Sequence, residues 1–504
     1  RIMLIAGVTN GWLAGVVISN GYARYRGATA YDSHPTASGG GLFVTNCNGL
    51  VVENCTIVKN LAFTPIANGG EIFGGGAYIT GGSVTISNCL FLTNRADTIY
   101  SSNVQMGDGG GLCLNGGILT LSDSIIANNV LSGDNANGTT KGAGLYLNGV
   151  AIVRNCVIRN NDAGNPFGPV KRGDGVYVAG GYASLRNCLI AANKGPVALN
   201  AGCYLNAGQV WLENCTVVSN VQYGIYRAGG LGYVTNSILW ANGDDVYENV
   251  AGNVKLYYSA IEDGDSLGAN GCVTNNPEFA DWIYYHDQSE FGYYDGGYFT
   301  GGEWSNAPIT STLIDATHPA TRPLNEPYPN GAIRNLGAYG GTPAASKSHP
   351  LAVTNLAASS VGTTGATLNG LLLHMGAPDV HVWFHYGLED GGTNATAWDT
   401  NLYVGILTAP TGFAKEVTAL ITGSNYYYTC FASNAAGYTA WAEPATNFLP
   451  ILSPATIVNR GASNELGPTV TLRGEVTSTG GETPRLYVCW GTLEGDISNT
   501  STWE

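Results

Sequence analysis

The chain has 504 residues, too many for one ordinary domain, and this length predicts two or three. Only 11% of the residues are charged, whereas 72 are glycines and 29 are tyrosines, which argues against disorder and favours an all-β protein with many turns. The net charge is −15 and no basic run occurs, so nucleic acid is a poor partner. No apolar stretch reaches the about 18–20 residues of a transmembrane helix.

One short unit, Asn-Cys-x-apolar-x-x-Asn, returns seven times in the first half of the chain. Its second residue is Cys or Ser and its fourth is always apolar, so period-two alternation predicts that both point inward. Successive units begin 22–35 residues apart, enough for one coil each. The pattern predicts a right-handed parallel β-helix in which the Asn side chains stack coil on coil. The copies are 54–60, 88–94, 123–129, 155–161, 187–193, 214–220 and 236–242.

A glycine-rich turn precedes each unit and is followed by an aliphatic, a central and a second aliphatic residue. The glycines permit a sharp turn with positive φ, and alternation then directs the central residues outward. These central residues should form an outward row that we call the aromatic ladder. Its predicted members are Phe43, Tyr78, Cys113, Tyr146, Tyr177, Tyr204 and Tyr226.

A segment of variable length separates each unit from the next glycine turn. It shrinks from 18 residues (21–38) to one (221), and all copies should leave the β-helix at the same corner, beside the ladder. Insertions on one face of a repeat protein often mark a binding face. The rings could therefore stack against sugar rings or a partner protein, or be buried under these loops. The sequence leaves both alternatives open.

The region after the repeats carries a family resemblance. Asn-Pro-Glu-Phe at 276–279, Ser-Thr-Leu-Ile-Asp-Ala at 311–316 and the Asn-Gly to Tyr-Gly-Gly stretch at 330–341 resemble the closing segment of secreted bacterial right-handed β-helix repeat proteins. The resemblance covers about residues 10–345. It implies a β-helix domain at 1–345 whose last coils are capped by an irregular segment at about 243–345, and it implies an extracellular setting. Such relatives include lyases, hydrolases and adhesins, so no single activity follows.

A different pattern begins at Leu351 and repeats with a spacing of 104 residues. Gly-Ala-Thr-Leu-Asn-Gly at 365–370 returns at 467–474, and Phe-His-Tyr-Gly at 384–387 returns as Val-Cys-Trp-Gly at 488–491. That spacing suits β-sandwich modules of about 100 residues. The stretch 420–437 resembles the tyrosine-corner end of fibronectin type III modules. We therefore expect one such module at 346–449 and the start of a second, truncated module at 450–504.

The chemistry-bearing residues are few. Asp108, Lys141 and Arg172 precede the glycine turn in three successive coils, and in register they should stack within about 5 Å per step. Polysaccharide lyases of this fold use a basic proton acceptor, with cations or Ca²⁺ to neutralise the uronate, so this charged column is the best catalytic candidate. The competing interpretation is a structural ion pair between coils. The adjacent acids Asp244 and Asp245 are expected in a solvated turn.

These patterns favour a non-catalytic extracellular or cell-surface protein with a structural or adhesive role. Its expected partners are polysaccharide, another surface protein or further copies of itself. The alternative is a polysaccharide lyase that performs uronate β-elimination, with a glycoside hydrolase as a further possibility, so enzymatic activity stays open. No metal site and no cofactor are expected, apart from Ca²⁺ under the lyase alternative.

Overall fold

The computed structural model describes residues 1–24, 36–64, 71–98, 106–133, 139–164, 170–195, 199–377, 379–463, 468–481, 483–493 and 499–503. The chain divides into two compact units, Arg1–Ser348 and His349–Glu504. Within the described ranges, both units consist of β-strands and turns, and the second also contains two 3-10 turns.

The first unit is a solenoid of parallel sheets in which each coil pairs with the next coil along the chain. Sheet 1 contains Met3–Ala6, Trp12–Ala14, Leu42–Glu53, Ala77–Ser87, Leu112–Ser122, Leu145–Arg154, Val176–Arg186, Ala201–Leu205, Gln209–Glu213, Tyr223–Arg227, Leu231–Thr235, Asp244–Glu248 and Val254–Tyr257. Sheet 2 contains Val17–Ser19, Thr56–Val58, Leu90–Leu92, Ile125–Ala127, Val157–Arg159, Leu189–Ala191, Thr216–Val218, Ile238–Trp240 and Ala260–Ile261.

The variable segments contain strands, which the sequence interpretation as loops missed. Sheet 3 is formed by Tyr22–Arg24, Leu61–Thr64, Arg95–Thr98 and Val130–Gly133. Sheet 4 is formed by Thr36–Ser38, Glu71–Phe73, Met106–Asp108, Thr139–Lys141 and Val170–Arg172. The four longest segments therefore begin and end as strands of the coil, and the segment 162–172 ends as one. Strands of three or four residues carry too little alternation to be recognised by pattern.

The predicted interior of the β-helix is confirmed. The cysteines of the repeat and the aliphatic residues two positions later are fully buried in one continuous core. The thiols donate weak hydrogen bonds to the carbonyl two residues earlier, as from Cys156 Sγ to Arg154 O at 3.1 Å. The glycine turns have the expected positive φ, between 62° and 73° from Gly39 to Gly173. The repeat cysteines are small buried thiols.

The last Asn of each unit forms the predicted ladder of amides. Asn161 is typical, since its Nδ2 donates to Asn193 Oδ1 at 3.0 Å and to Ile126 O at 2.9 Å. Its Oδ1 accepts from both the backbone N–H and the Nδ2 of Asn129, at 3.1 and 3.0 Å. Each amide thus satisfies a buried turn that would otherwise have unpaired polar groups.

The solenoid extends one coil beyond each end of the recognised repeat. Val17–Ser19 pairs with Thr56–Val58, and Ala260–Ile261 pairs with Ile238–Trp240. The segment expected to be irregular from about residue 243 therefore begins with one more regular coil. Gly15 and Tyr258 stand where the other units have Asn or Asp, so the motif does not show these copies.

The segment that the family resemblance identified as a cap lies along the outer side of sheet 2. Gly337 N donates to Asn236 O at 2.9 Å, and Ala338 N donates to Thr216 Oγ1 at 2.9 Å. Outward residues of this sheet are buried as a result, among them Val157 and Leu189. The segment therefore covers the side of the last coils.

The second unit encloses its own core between two antiparallel sheets. One sheet contains Ala352–Ser359, Gly365–His374 and Gly412–Thr418, and the other contains Val380–Gly387, Thr400–Leu407, Tyr426–Asn434, Thr439–Trp441 and Thr446–Phe448. The backbone N–H of Ile421 donates to Tyr426 Oη at 3.1 Å, as a tyrosine corner would. The assignment to the fibronectin type III class, like the module boundaries, stays a prediction.

A second, partial copy follows in the same unit. The hairpin Thr456–Ser463 and Thr471–Ser478 lies 104 residues after the first two strands of the module. The 3-10 turns Ala395–Ala397 and Thr500–Thr502 are each capped by an Asn side chain, from Asn394 and Asn499. The structure thus repeats in the same order as the sequence.

Candidate functional site

The three residues of the charged column stack in register in sheet 4, which confirms the predicted placement. Lys141 Nζ lies 3.7 Å from Asp108 Oδ1, and their side chains are only 14% and 5% exposed. Burial raises the pKa of Asp108 to about 6, although the Lys141 ammonium and a hydrogen bond with Tyr146 act in the opposite direction. Asp108 and Lys141 therefore form an enclosed ion pair, which leaves little access to these two residues for a substrate.

The column also packs against the aromatic ladder. Lys141 Nζ lies 5.9 Å from the centroid of the Tyr177 ring, and the Arg172 guanidinium carbon lies 5.9 Å from that of Tyr204. Arg172 is in addition a hydrogen-bond partner of the Tyr177 hydroxyl. Cations over ring faces and in ion pairs stabilise a packed layer. These contacts bring the predicted catalytic and ligand-binding residues together, while both of those roles stay predictions.

The ladder rings point away from the β-helix core and stack on one another, as expected. From Tyr146 through Tyr177 and Tyr204 to Tyr226, successive ring centroids lie 5.6, 5.1 and 4.8 Å apart, with planes within 17°. Phe43 and Tyr78 form a second pair at 5.2 Å. The parallel pairing explains this geometry, since it repeats one strand position at every coil.

The ladder is covered along most of its length. Its five tyrosines are between 2% and 8% exposed, and Phe43 is half-buried. Phe73 and Leu199 pack against them. The central parts of the variable segments, such as 25–35 and 99–105, lie outside the described residues. The sequence left open whether the rings bind a ligand or are buried. Within the described residues they are buried, so a ligand would reach them only if their cover moved.

A second aromatic surface lies on sheet 1 and is open to solvent. Trp211 and Tyr233 occupy neighbouring strands in register, and their rings stack at 4.1 Å with planes 13° apart. Trp211 is 40% exposed, and the nearby Tyr182 is 37% exposed. We use the name open face for the outward side chains of sheet 1 that lie shortly before the turn into sheet 2, on the strands from Leu112–Ser122 to Leu231–Thr235. Its large apolar members are Ile118, Val150, Tyr182, Trp211, Leu231 and Tyr233.

Charged side chains flank the open face. The Arg186 guanidinium pairs with Glu213, and Arg334 reaches the same carboxylate at 3.6 Å. The repeat motif does not reveal this face, because its residues lie outside both the Asn-Cys unit and the glycine turn. The signal was present as the 22-residue offset between 209–213 and 231–235, since each segment has an outward aromatic residue at its centre followed by an inward aliphatic residue.

Three carboxylates meet near the last coil. One oxygen each from Asp244, Asp263 and Asp265 lies within 4.8 Å of the others. Burial and the two neighbouring carboxylates raise the pKa of Asp265 to about 6. The expected solvated turn at Asp244 and Asp245 was wrong, because both residues belong to the strand Asp244–Glu248. Asp245 is only 2% exposed and accepts a hydrogen bond from the backbone N–H of Glu262 at 2.7 Å. Asp263 Oδ2 in turn accepts the backbone N–H of Asp245 at 2.8 Å, so a carboxylate of the cluster also pairs a backbone group of the last coils.

Comparison with known families agrees with this architecture. The family model described as the right-handed β-helix region matches residues 5–291, which is more than half of the chain, and the chain belongs to this family. Searches of the curated proteins and of the solved structures gave no match. Right-handed β-helix regions occur in lyases and hydrolases and also in non-enzymatic proteins. Within the described residues, no helix has the length and apolarity to cross a membrane.

Proposed function

We propose that this chain is a non-catalytic extracellular or cell-surface protein whose β-helix is a rigid scaffold that binds polysaccharide through the open face. The observation that carries this proposal is the stack of Trp211, which is 40% exposed, on the half-buried Tyr233. Flat, exposed aromatic rings are suited to the apolar faces of sugar rings, and the flanking Arg186 and Glu213 offer hydrogen-bond partners for hydroxyl groups.

The buried state of the charged column supports a non-catalytic role. A lyase base must reach a proton of the substrate to within about 2.6–3.2 Å. Asp108 and Lys141 instead face each other inside the packed layer, and Arg172 lies against the ladder tyrosines. A paired and enclosed column of this kind favours the structural interpretation over uronate β-elimination.

The catalytic alternative is tested by incubating the chain with a panel of uronate polysaccharides and following the absorbance of unsaturated products. We expect no turnover with the wild-type chain. Turnover that is lost in both K141A and R172A would instead establish the lyase and overturn the proposal. A K59Q variant, which alters an exposed lysine in another part of the solenoid, controls for a general loss of charge.

Binding is tested on immobilised neutral and acidic polysaccharides. We expect W211A and Y233A each to weaken binding about tenfold, the equivalent of about 1.4 kcal/mol. W490A is the matched control, since Trp490 is also exposed but belongs to the second unit. Equal losses in W211A and W490A, or no binding to any polysaccharide of the panel, would contradict the proposal.

A further inference from the structure

A cleft of about 250 Å³ lies where residues 281–285 cross the outer side of sheet 2. Ala191 and Ala192 line it with small side chains, together with Arg159 and Asn160 of the preceding coil. The volume is below the about 300–1,000 Å³ that holds a drug-sized ligand. The cleft therefore has room for about one ring of a polymer.

Arg159 is the single charged residue among those described as lining this cleft. It ends the strand Val157–Arg159 with its side chain outward, because the neighbouring Ile158 is fully buried in the core. Its guanidinium donates one long hydrogen bond, from Nη1 to Ile283 O at 3.4 Å. The ion pairs of the described chain do not include Arg159. Several of its N–H groups are thus available to an anionic ligand, and carboxylate is the anion that fits the guanidinium fork.

Trp282 is the aromatic wall of the same cleft. It is 63% exposed, and its described ring contacts, with Phe279 and Tyr285, are T-shaped at 76° and 85°, so neither partner lies parallel to the Trp282 ring. Asp281 fixes the turn, since its Oδ1 accepts the backbone N–H groups of Ile283 and Tyr284 at 2.6 and 2.5 Å. These two hydrogen bonds hold the turn that carries Trp282.

We propose that this cleft binds one carboxylated sugar ring of an acidic polysaccharide, with the carboxylate on Arg159 and the ring face on Trp282. The proposal rests on the proposed polysaccharide binding and adds a site that selects for charge. The open face would contact the polymer irrespective of its charge, because its exposed rings recognise ring faces. The cleft would distinguish a hexuronate from the corresponding neutral hexose.

The test is titration calorimetry of the full chain with tetramers of galacturonate and glucuronate, and with galactose and glucose tetramers as neutral counterparts. We expect the wild-type chain to bind the acidic tetramers at least about tenfold more tightly. R159Q should abolish that preference, R159K should restore part of it, and W282A should weaken the acidic tetramers. K59Q is the matched control, because Lys59 occupies the same turn of an earlier coil as Asn160 and should leave affinity within about twofold.

The outcomes separate this proposal from the proposed function. Equal affinity for acidic and neutral tetramers, or a preference that survives in R159Q, overturns the cleft while leaving the open face intact. Acidic binding that is lost in R159Q but unchanged in W211A and Y233A supports the cleft and overturns the open face. Absence of binding to all four tetramers overturns the cleft. If immobilised polymers also fail to bind, the proposed function is overturned with it.

Discussion

Two aromatic rows lie on the same parallel sheet, each with one ring per coil, but they differ in how far the rings are exposed. Tyr177 and Tyr204 stack at 5.1 Å in the first part of their strands, and Trp211 and Tyr233 stack at 4.1 Å a few residues further along. The first pair is 2% exposed, whereas Trp211 is 40% exposed. The coils are shared, so the sheet itself does not decide which row is buried.

The difference comes from what the neighbouring segments do. Beside the first row, the coil runs through sheet 4, and Lys141 and Arg172 pack over the rings. Beside the second row, the chain turns directly into sheet 2, and 40% of the Trp211 side chain stays exposed. Parallel stacking produces aromatic rows wherever a coil position repeats, and the neighbouring segments then decide which rows are buried and which are exposed.

Truncation of one ring from each row gives the largest expected contrast. Y177A should lower the free energy of unfolding by about 3–5 kcal/mol, because a fully buried aromatic side chain leaves a cavity. W211A should cost less than about 1 kcal/mol, since its ring is exposed. Urea unfolding followed by circular dichroism measures both, and Y177F controls for loss of the hydroxyl alone. A cost for W211A as large as that for Y177A would show that the open face is covered.

The amide ladder offers the next largest effect. N161A removes the side-chain partners of Asn129 and Asn193 and of Ile126 O, so several buried polar groups lose their hydrogen bonds. We expect a loss of about 2–4 kcal/mol, from about 1–3 kcal/mol for each group left unsatisfied. N48A is the control, because Asn48 is an exposed residue on the same solenoid. Equal unfolding midpoints for the two variants would contradict a structural ladder.

The sequence was sufficient for the β-helix because its core rule is strictly local. The repeat has a Cys or Ser, an apolar residue two positions later and an Asn at the turn, with little variation. The buried positions of Cys156, Ile158 and Asn161 therefore follow from the sequence alone. The motif does not identify the two outer coils, because Gly15 and Tyr258 stand where the other units have Asn or Asp. There the coil survives because its backbone pairs with the neighbouring coil.

The site was harder to predict because exposure is a tertiary property. Alternation correctly places Tyr177 and Trp211 outside the core, but it does not say which side chains a distant segment covers. The Arg159 cleft depends on residues 281–285, more than a hundred positions later, and on two alanines of the next coil. The register of Asp108, Lys141 and Arg172 was predictable, whereas their enclosure depends on sheet 4, whose strands are too short to show a pattern.

Loss of the ion pair between Asp108 and Lys141 should have a smaller effect on the free energy of unfolding. K141M should destabilise the chain by about 1–3 kcal/mol, because Asp108 loses its cation while staying buried. The cost is limited, since Asp108 can bind a proton. D108N/K141M removes both charges, and the double variant should be more stable than K141M alone. Chemical denaturation of the two variants checks the order, and a double variant weaker than K141M would indicate a role beyond charge balance.

The smallest effect concerns pH and the segment that covers sheet 2. Burial raises the pKa of Glu326 to about 8, although its carboxylate accepts backbone N–H groups from Asn335 and Gly341. In the unfolded chain this group titrates near about 4.3, so between that pH and about 8 the folded state holds a proton that the unfolded state has lost. Stability should therefore fall as pH rises through this window.

We expect the apparent Tm to be about 3–8 °C lower at pH 8.5 than at pH 5. E326Q should flatten this slope, because an amide keeps the acceptor oxygen and does not ionise. Part of the slope should remain, since burial also raises the pKa of Asp315 to about 6. E290Q is the control, because Glu290 is an exposed carboxylate in the same segment. A steeper slope in E326Q than in the wild-type chain would show that Glu326 is ionised in the folded protein and that the cover depends on its charge.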